Sequence, residues 1–128
     1  MFEVRHVRQI PGERERRWFS SAEFELFVQS AEGGGYSGFQ LYYDKSHNQH
    51  AIVFSVEAGF RHMRVDDGEQ RPGKYKASPV LLVNGALDLA RVYSAFIQAG
   101  ESLPDDVKRF VTRTLEGHPD FRSDLAEN

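Results

Sequence analysis

The spacing of the hydrophobic residues changes once along this chain, and that change constrains the fold more than any other feature. Up to about residue 83, apolar side chains tend to recur at every second position, as Phe24, Leu26 and Val28 do. This period is typical of β-strands. From Ala86 onward they recur at intervals of three and four residues, which is typical of amphipathic helices. Strands followed by helices indicate an α+β domain.

The alternating part predicts an antiparallel sheet of about five to six strands. The runs lie near residues 2–6, 24–28, 39–43, 51–56, 60–65 and 79–83, with Trp18-Phe19 ahead of the second run, and the triplet Gly33–Gly35 marks a hairpin tip. Ala51 to Val56 is nearly all apolar, which favours a central strand covered on both faces.

The later part predicts two C-terminal helices packed on one face of the sheet. Their apolar stripes consist of Ala86, Leu89, Ala90, Tyr93, Phe96 and Ile97, and then of Val107, Phe110, Val111 and Leu115. Gly100 ends the first helix, and Ser102 with Asp105 resembles a capping box at the start of the second. We expect a single domain over residues 1–117, and an acidic, frayed tail over residues 118–128.

Length and composition limit the class of protein. A chain of 128 residues can bury a sizeable core as one domain. The absence of cysteine excludes disulfides, a thiol nucleophile and thiolate-bound zinc. We find no signal-peptide pattern and no apolar run of membrane-spanning length, so we expect a cytoplasmic protein without membrane contact.

Aromatic residues are the compositional surplus, and most of them fall in the predicted strands. Ten Phe, five Tyr and one Trp are present. Because two helices can cover only one face of a sheet, we expect the opposite face to carry Phe27, Tyr42, Phe60 and His62. Such a face would serve as a ligand groove or a partner surface. Alternatively, the sheet curls and packs on itself as a half-barrel.

The stretch from Arg61 to Lys76 carries the densest charge in the chain. It contains five basic and three acidic residues around His62. Such a loop could clamp an anionic ligand with Arg and Lys and transfer protons through His62 or a carboxylate. The alternative is a solvated turn in which Asp66, Asp67 and Gly68 shape the backbone and the charges pair with one another.

Several motifs in the same region resemble an uncharacterised family of small bacterial proteins. The residues that carry the resemblance are Trp18-Phe19, residues 38–45 (GFQLYYDK), 59–62 (GFRH), 64–69 (RVDDGE) and 71–77 (RPGKYKA), and Pro79. Together these motifs span about half the chain. The resemblance implies a bacterial, intracellular origin. It brings no activity, cofactor or catalytic residue.

Other chemistries find little support in the sequence. His47 and His50 are spaced as metal ligands can be, but they fall in a turn, and no metal motif is present, so we predict neither a metal nor a cofactor. No serine lies in a nucleophile elbow, and no phosphate-binding glycine loop occurs. A basic and aromatic patch of Arg14, Arg16, Arg17 and Trp18 could bind single strands. The net charge of −3 argues against nucleic acid.

Two functional hypotheses follow, and they belong to different classes. The first is a small non-enzymatic binding module for a small anionic ligand or a protein partner, with a homodimer as one version. The second is a small enzyme with His62 as acid or base, Asp66 or Asp67 orienting it, and a basic clamp for an anionic substrate. The residues predicted to bind the ligand are Tyr42, Phe60, Arg61, His62, Arg64, Arg71, Lys74 and Tyr75.

Overall fold

A computed structural model of the chain describes residues 1–4, 15–45, 49–66, 76–81 and 88–118. For residues 65, 66 and 76–81 it describes the backbone only. These ranges contain seven strands followed by two helices, so the predicted α+β class and element order are confirmed. Of the described helices, none is both long and apolar enough to span a bilayer.

The strands form one antiparallel sheet in which each strand pairs with its neighbours in sequence. In order they are β1 (Phe2–Val4), β2 (Arg16–Ser20), β3 (Phe24–Ser30), β4 (Tyr36–Tyr43), β5 (His50–Ser55), β6 (Gly59–Asp66) and β7 (Lys76–Leu81). Among the described strands β1 and β7 are the two edges, and they do not pair with each other to close a barrel.

The glycine triplet forms the turn between β3 and β4, as the sequence predicts. Gly33, Gly34 and Gly35 all have positive φ, and the amide of Ala31 donates a 2.9 Å hydrogen bond to the carbonyl of Gly35. Residues with a Cβ rarely adopt this backbone conformation, so the turn depends on glycine.

Two helices pack on the sheet, α1 (Leu89–Ala99) and α2 (Asp105–Glu116). The carboxylate of Asp88 accepts a hydrogen bond from the amide of Arg91 and caps α1, and Gly100 ends that helix as predicted. Ile97, assigned to the buried stripe, is instead 39% exposed.

The predicted capping box at α2 is wrong. The residue that precedes α2 is Pro104, and its side chain forms no capping hydrogen bond. The hydroxyl of Ser102 instead donates to the carbonyl of Met1, 2.9 Å away. Pro104 holds the entry to the helix with its fixed φ, and Asp105 and Asp106 supply the acidic first turn.

The main core lies between the helices and one sheet face. Its buried residues include Phe39, Leu41 and Ile52 from the strands, and Phe96 and Val111 from the helices. Each such side chain contributes about 2 kcal/mol by leaving water. The guanidinium of Arg91 also binds the carboxylate of Asp44 through two hydrogen bonds of 2.8 and 3.1 Å, which joins α1 to the end of β4.

Candidate functional site

The sheet face opposite the helices carries an aromatic cluster. Trp18 pairs with Phe27 across β2 and β3, and their rings stack with centroids 5.4 Å apart and planes 19° apart. The ring of Tyr42 meets Phe27 edge-on at 5.9 Å. We call these three residues the aromatic platform. The face it lies on, which neither described helix covers, we call the helix-free face.

A buried carboxylate anchors the platform. Glu25, on β3, is 4% exposed and lies on the helix-free face. It accepts hydrogen bonds from the indole N–H of Trp18, from the Ser20 hydroxyl at 2.6 Å and from the Lys45 ammonium. Lys45 also donates to the carbonyl of Ser21, 2.9 Å away. Three donors, one of them a cation, satisfy a charge that could not otherwise stay buried.

Burial on the helix-free face differs from one cross-strand row to the next. The row through Glu25, Tyr42, Ala51 and Met63 is buried. In the adjacent row Trp18, Phe27, Gln40 and Val53 are half-buried, and the row ends at the exposed Arg61 on β6. We call this second row the accessible row. A ligand would reach the sheet along it, because its side chains remain open to solvent.

The charge available on the helix-free face is positive. Among the described strand residues, alternation places the exposed Arg61 on this face, and Glu25 is already paired with Lys45. Arg16 lies close enough to Tyr42 to lower the pKa of its hydroxyl, although burial, the larger effect, raises that pKa. An anion approaching the accessible row would therefore meet favourable charge at Arg61.

The structure does not bring the predicted ligand-binding residues together on one face. Phe27 and Tyr42 lie on the helix-free face as predicted, and Arg61 lies there too. Phe60 and His62 lie on the helix-covered face, so that part of the prediction is wrong. The reason is the register of β5 and β6, which pairs Phe60 with Phe54 and His62 with Ile52, both on the side of the core.

His62 belongs to a ring stack at the margin of the core. It is 8% exposed, and its Nε2 is hydrogen-bonded to the hydroxyl of Tyr43. The rings of Tyr43, His50 and His62 lie 5.4–5.9 Å apart, with planes within 27° of parallel. Burial raises the pKa of the Tyr43 hydroxyl, which keeps the tyrosine neutral. The enzyme hypothesis requires an accessible imidazole, and this burial argues against it.

Of the remaining predicted residues, Arg64 is exposed, and most of the others lie outside the described part of the chain. Arg64 is exposed on β6 and pairs with His50, on the side of the ring stack. Phe60 packs on Phe54, and its ring meets that of His118 at 4.5 Å. Only the backbone of Asp66 is described, and Asp67, Arg71, Lys74 and Tyr75 lie outside the described residues.

The basic patch predicted at Arg14 to Trp18 is divided in the same way. Arg17 points to the helix-covered side, where it binds Glu3 through two 2.9 Å hydrogen bonds and donates to the Tyr36 hydroxyl at 3.1 Å. Arg16 and Trp18 lie on the helix-free face, and Arg14 is outside the described residues. His47 is likewise outside them, and the described residues hold no cluster of three metal-binding side chains.

Sequence reasoning missed Glu25 and Lys45. The signal for Glu25 was present, because it alternates with Phe24 and Leu26 and so must share a face with Phe27. Lys45 lies twenty residues along the chain from Glu25, and local spacing gave no sign of the ion pair.

Comparison of the chain with protein-family models, with curated proteins and with solved structures found no match.

Proposed function

We propose that this protein is a small non-enzymatic binding module that takes up a small anionic ligand on its helix-free face. The observation that carries the proposal is the accessible row, in which Trp18 and Phe27 stand at one end and the exposed Arg61 stands at the other. Aromatic rings supply apolar contact area, and a guanidinium supplies directed hydrogen bonds to an acid group.

Charge favours an anion over a cation or a neutral ligand. Within the described strands, Glu25 is the carboxylate that alternation assigns to this face, and it already forms an ion pair with Lys45. A cationic ligand would thus be repelled by Arg61, and the described strands would offer it no accessible carboxylate on this face. An acid group would gain the charge-assisted hydrogen bonds of the exposed Arg61.

Binding is favoured over catalysis because the polar groups beside the platform are engaged with one another. The carboxylate of Glu25 already accepts from three donors, and the hydroxyl of Ser20 donates into it. A general base needs a free lone pair within hydrogen-bond reach of the substrate. Because Glu25 is 4% exposed, a substrate on the surface could not come within hydrogen-bond reach of its carboxylate, and the network serves to hold side chains in place.

The proposal is tested by mapping amide chemical shifts of the full chain during titration with acetate, benzoate and inorganic phosphate. We expect saturable shifts within the accessible row, largest near Arg61, and none at His62 or Phe60. Shifts confined to the ring stack of Tyr43, His50 and His62, or no saturable shift with any anion, would overturn it.

A protein partner is the competing occupant of this face. Phe2, on the edge strand β1, is 66% exposed, which makes self-association at that edge the version to test. Sedimentation velocity across protein concentrations measures it directly. A concentration-dependent dimer that buries the accessible row and excludes the anions would replace the proposed function.

A further inference from the structure

We infer that the ligand of the helix-free face contains a flat aromatic ring system of about two fused rings with an acid group at one end. The inference rests on the proposed function, and it adds the shape and chemical class of the ligand. In the bound state the ring lies across Gln40 and Val53, its far edge meets Phe27, and its acid group meets Arg61.

The aromatic platform is fixed before any ligand arrives. The indole N–H of Trp18 is tied to the buried Glu25, which limits rotation of the indole. Phe27 is held between the stacked indole and the edge-on ring of Tyr42. A surface ordered in this way loses little conformational entropy on binding, so the exposed part of Phe27 suits a rigid, planar partner better than a flexible chain.

The distance along the accessible row sets the length of the ligand. The backbones of Phe27 on β3 and Arg61 on β6 are three strand spacings apart, which amounts to about 14 Å across the sheet. A two-ring acid fills this interval, with van der Waals contact of about 3.5 Å at Phe27 and hydrogen bonds of about 2.8 Å at Arg61. Acetate or phosphate would reach only one end.

The side chains of Gln40 and Val53 form the middle of the row. They lie between the two ends, and both are half-buried. Val53 offers an apolar surface to the ring. The Gln40 Oε1 accepts a hydrogen bond from the Tyr42 hydroxyl at 3.3 Å, which leaves the amide N–H groups to donate to a ring substituent. A ring in this position would have the aromatic platform at one end and Arg61 at the other.

Three probes separate the ring from the acid. Naphthoate has both, naphthylmethanol has the ring without the charge, and cyclohexanecarboxylate has the acid without the aromatic ring. We titrate each into the full chain and follow the indole N–H signal of Trp18, which is unambiguous because the chain has one tryptophan. We expect naphthoate to bind at least tenfold more tightly than either of the others and to shift this signal through the ring current.

The outcomes distinguish this inference from the proposed function. If cyclohexanecarboxylate binds the accessible row as tightly as naphthoate does, the face binds anions, but the ring requirement is wrong. If naphthylmethanol matches naphthoate, the acid requirement is wrong. If neither acid shifts residues of the helix-free face, the inference and the proposed function both fail.

Paired variants locate the ring. Phe27→Leu removes the aromatic contact, and we expect a loss of naphthoate affinity of about fivefold with cyclohexanecarboxylate unchanged. Phe60→Leu makes the same change on the helix-covered face and should leave naphthoate binding as it is. Equal effects of the two substitutions, with both variants folded by their amide spectra, would contradict the placement of the ring.

Discussion

The indole N–H of Trp18 donates a hydrogen bond to the buried carboxylate of Glu25, across the neighbouring strands β2 and β3. The same carboxylate accepts from Lys45, whose ammonium is mostly buried beside it. An aromatic ring at the accessible surface is thus positioned by an ion pair beneath it. Glu25 thus both neutralises the buried Lys45 ammonium and orients the indole of the aromatic platform.

Replacement of Glu25 should destabilise the protein strongly. Glu25→Ala removes the charge partner of the mostly buried Lys45 ammonium and the acceptor of the indole N–H, and we expect a loss of about 3 kcal/mol in the free energy of unfolding. Urea unfolding followed by tryptophan fluorescence measures it. Glu57→Ala, at an exposed turn, is the matched control and should change stability by less than about 0.5 kcal/mol. Similar losses in the two variants would show that the network contributes little.

The hydrogen bond between Tyr43 and His62 should stabilise the margin of the core. Tyr43→Phe keeps the ring and removes the partner of the His62 Nε2, and we expect it to cost about 1–2 kcal/mol. Tyr93→Phe removes an exposed hydroxyl that donates to Glu116 at 2.5 Å, and it should cost less. Unfolding of both variants in urea makes the comparison, and a larger loss for Tyr93→Phe would contradict the assigned burial.

Stability should fall in alkaline solution because several tyrosines are held neutral by the fold. Burial raises the pKa of Tyr36, Tyr42 and Tyr43 above 10.0, and burial with the carboxylate of Glu116 raises that of Tyr93 to about 12. Above pH 10 the unfolded chain loses these protons before the folded chain does.

The unfolded state therefore binds fewer protons, and the free energy of unfolding decreases as the pH rises. The contribution of these groups is fully present below about pH 10 and is lost from there up to the raised pKa values. Urea midpoints measured between about pH 8 and about pH 11, with tyrosinate absorbance of the folded chain, test this. Tyrosine ionisation near its ordinary pKa with flat urea midpoints would refute it.

Gly38 is required by close packing between β4 and β5. A Cβ at this position would lie 2.5 Å from the carbonyl oxygen of Phe54, and a backbone atom cannot move aside cheaply. We expect Gly38→Ala to destabilise the fold by about 2 kcal/mol. At Gly117 the nearest atom to such a Cβ is 3.5 Å away, so Gly117→Ala should be nearly neutral. Thermal unfolding of the two variants tests this. Equal melting temperatures would be inconsistent with close backbone packing at Gly38.

The sequence predicted the fold class and the order of the strands and helices. It did not predict correctly which sheet face a side chain lies on where that depends on how the strands pair. Phe27 and Tyr42 were assigned correctly, because alternation within β3 and β4 is clear. Phe60 and His62 were assigned to the wrong face, since their partners on β5, Phe54 and Ile52, lie on the side of the core. Alternation tells which residues share a face. It does not tell which face the helices cover.

The residues of the candidate site were likewise predictable only in part. The single tryptophan and Phe27 were visible as strand aromatics, whereas the pairing of Glu25 with Lys45 comes from strands brought together by folding. The ring stack of Tyr43, His50 and His62 joins three strands and could not be inferred from local spacing.

The most direct test of a binding surface on the helix-free face compares two arginines on the same strand. Arg61 and Arg64 are both exposed on β6 and, by alternation and pairing, point to opposite faces. Calorimetric titration with naphthoate should show that Arg61→Gln weakens binding by about tenfold, through loss of a charge-assisted hydrogen bond, and that Arg64→Gln leaves it unchanged. Unchanged binding in Arg61→Gln, or an equal loss in Arg64→Gln, would contradict the account.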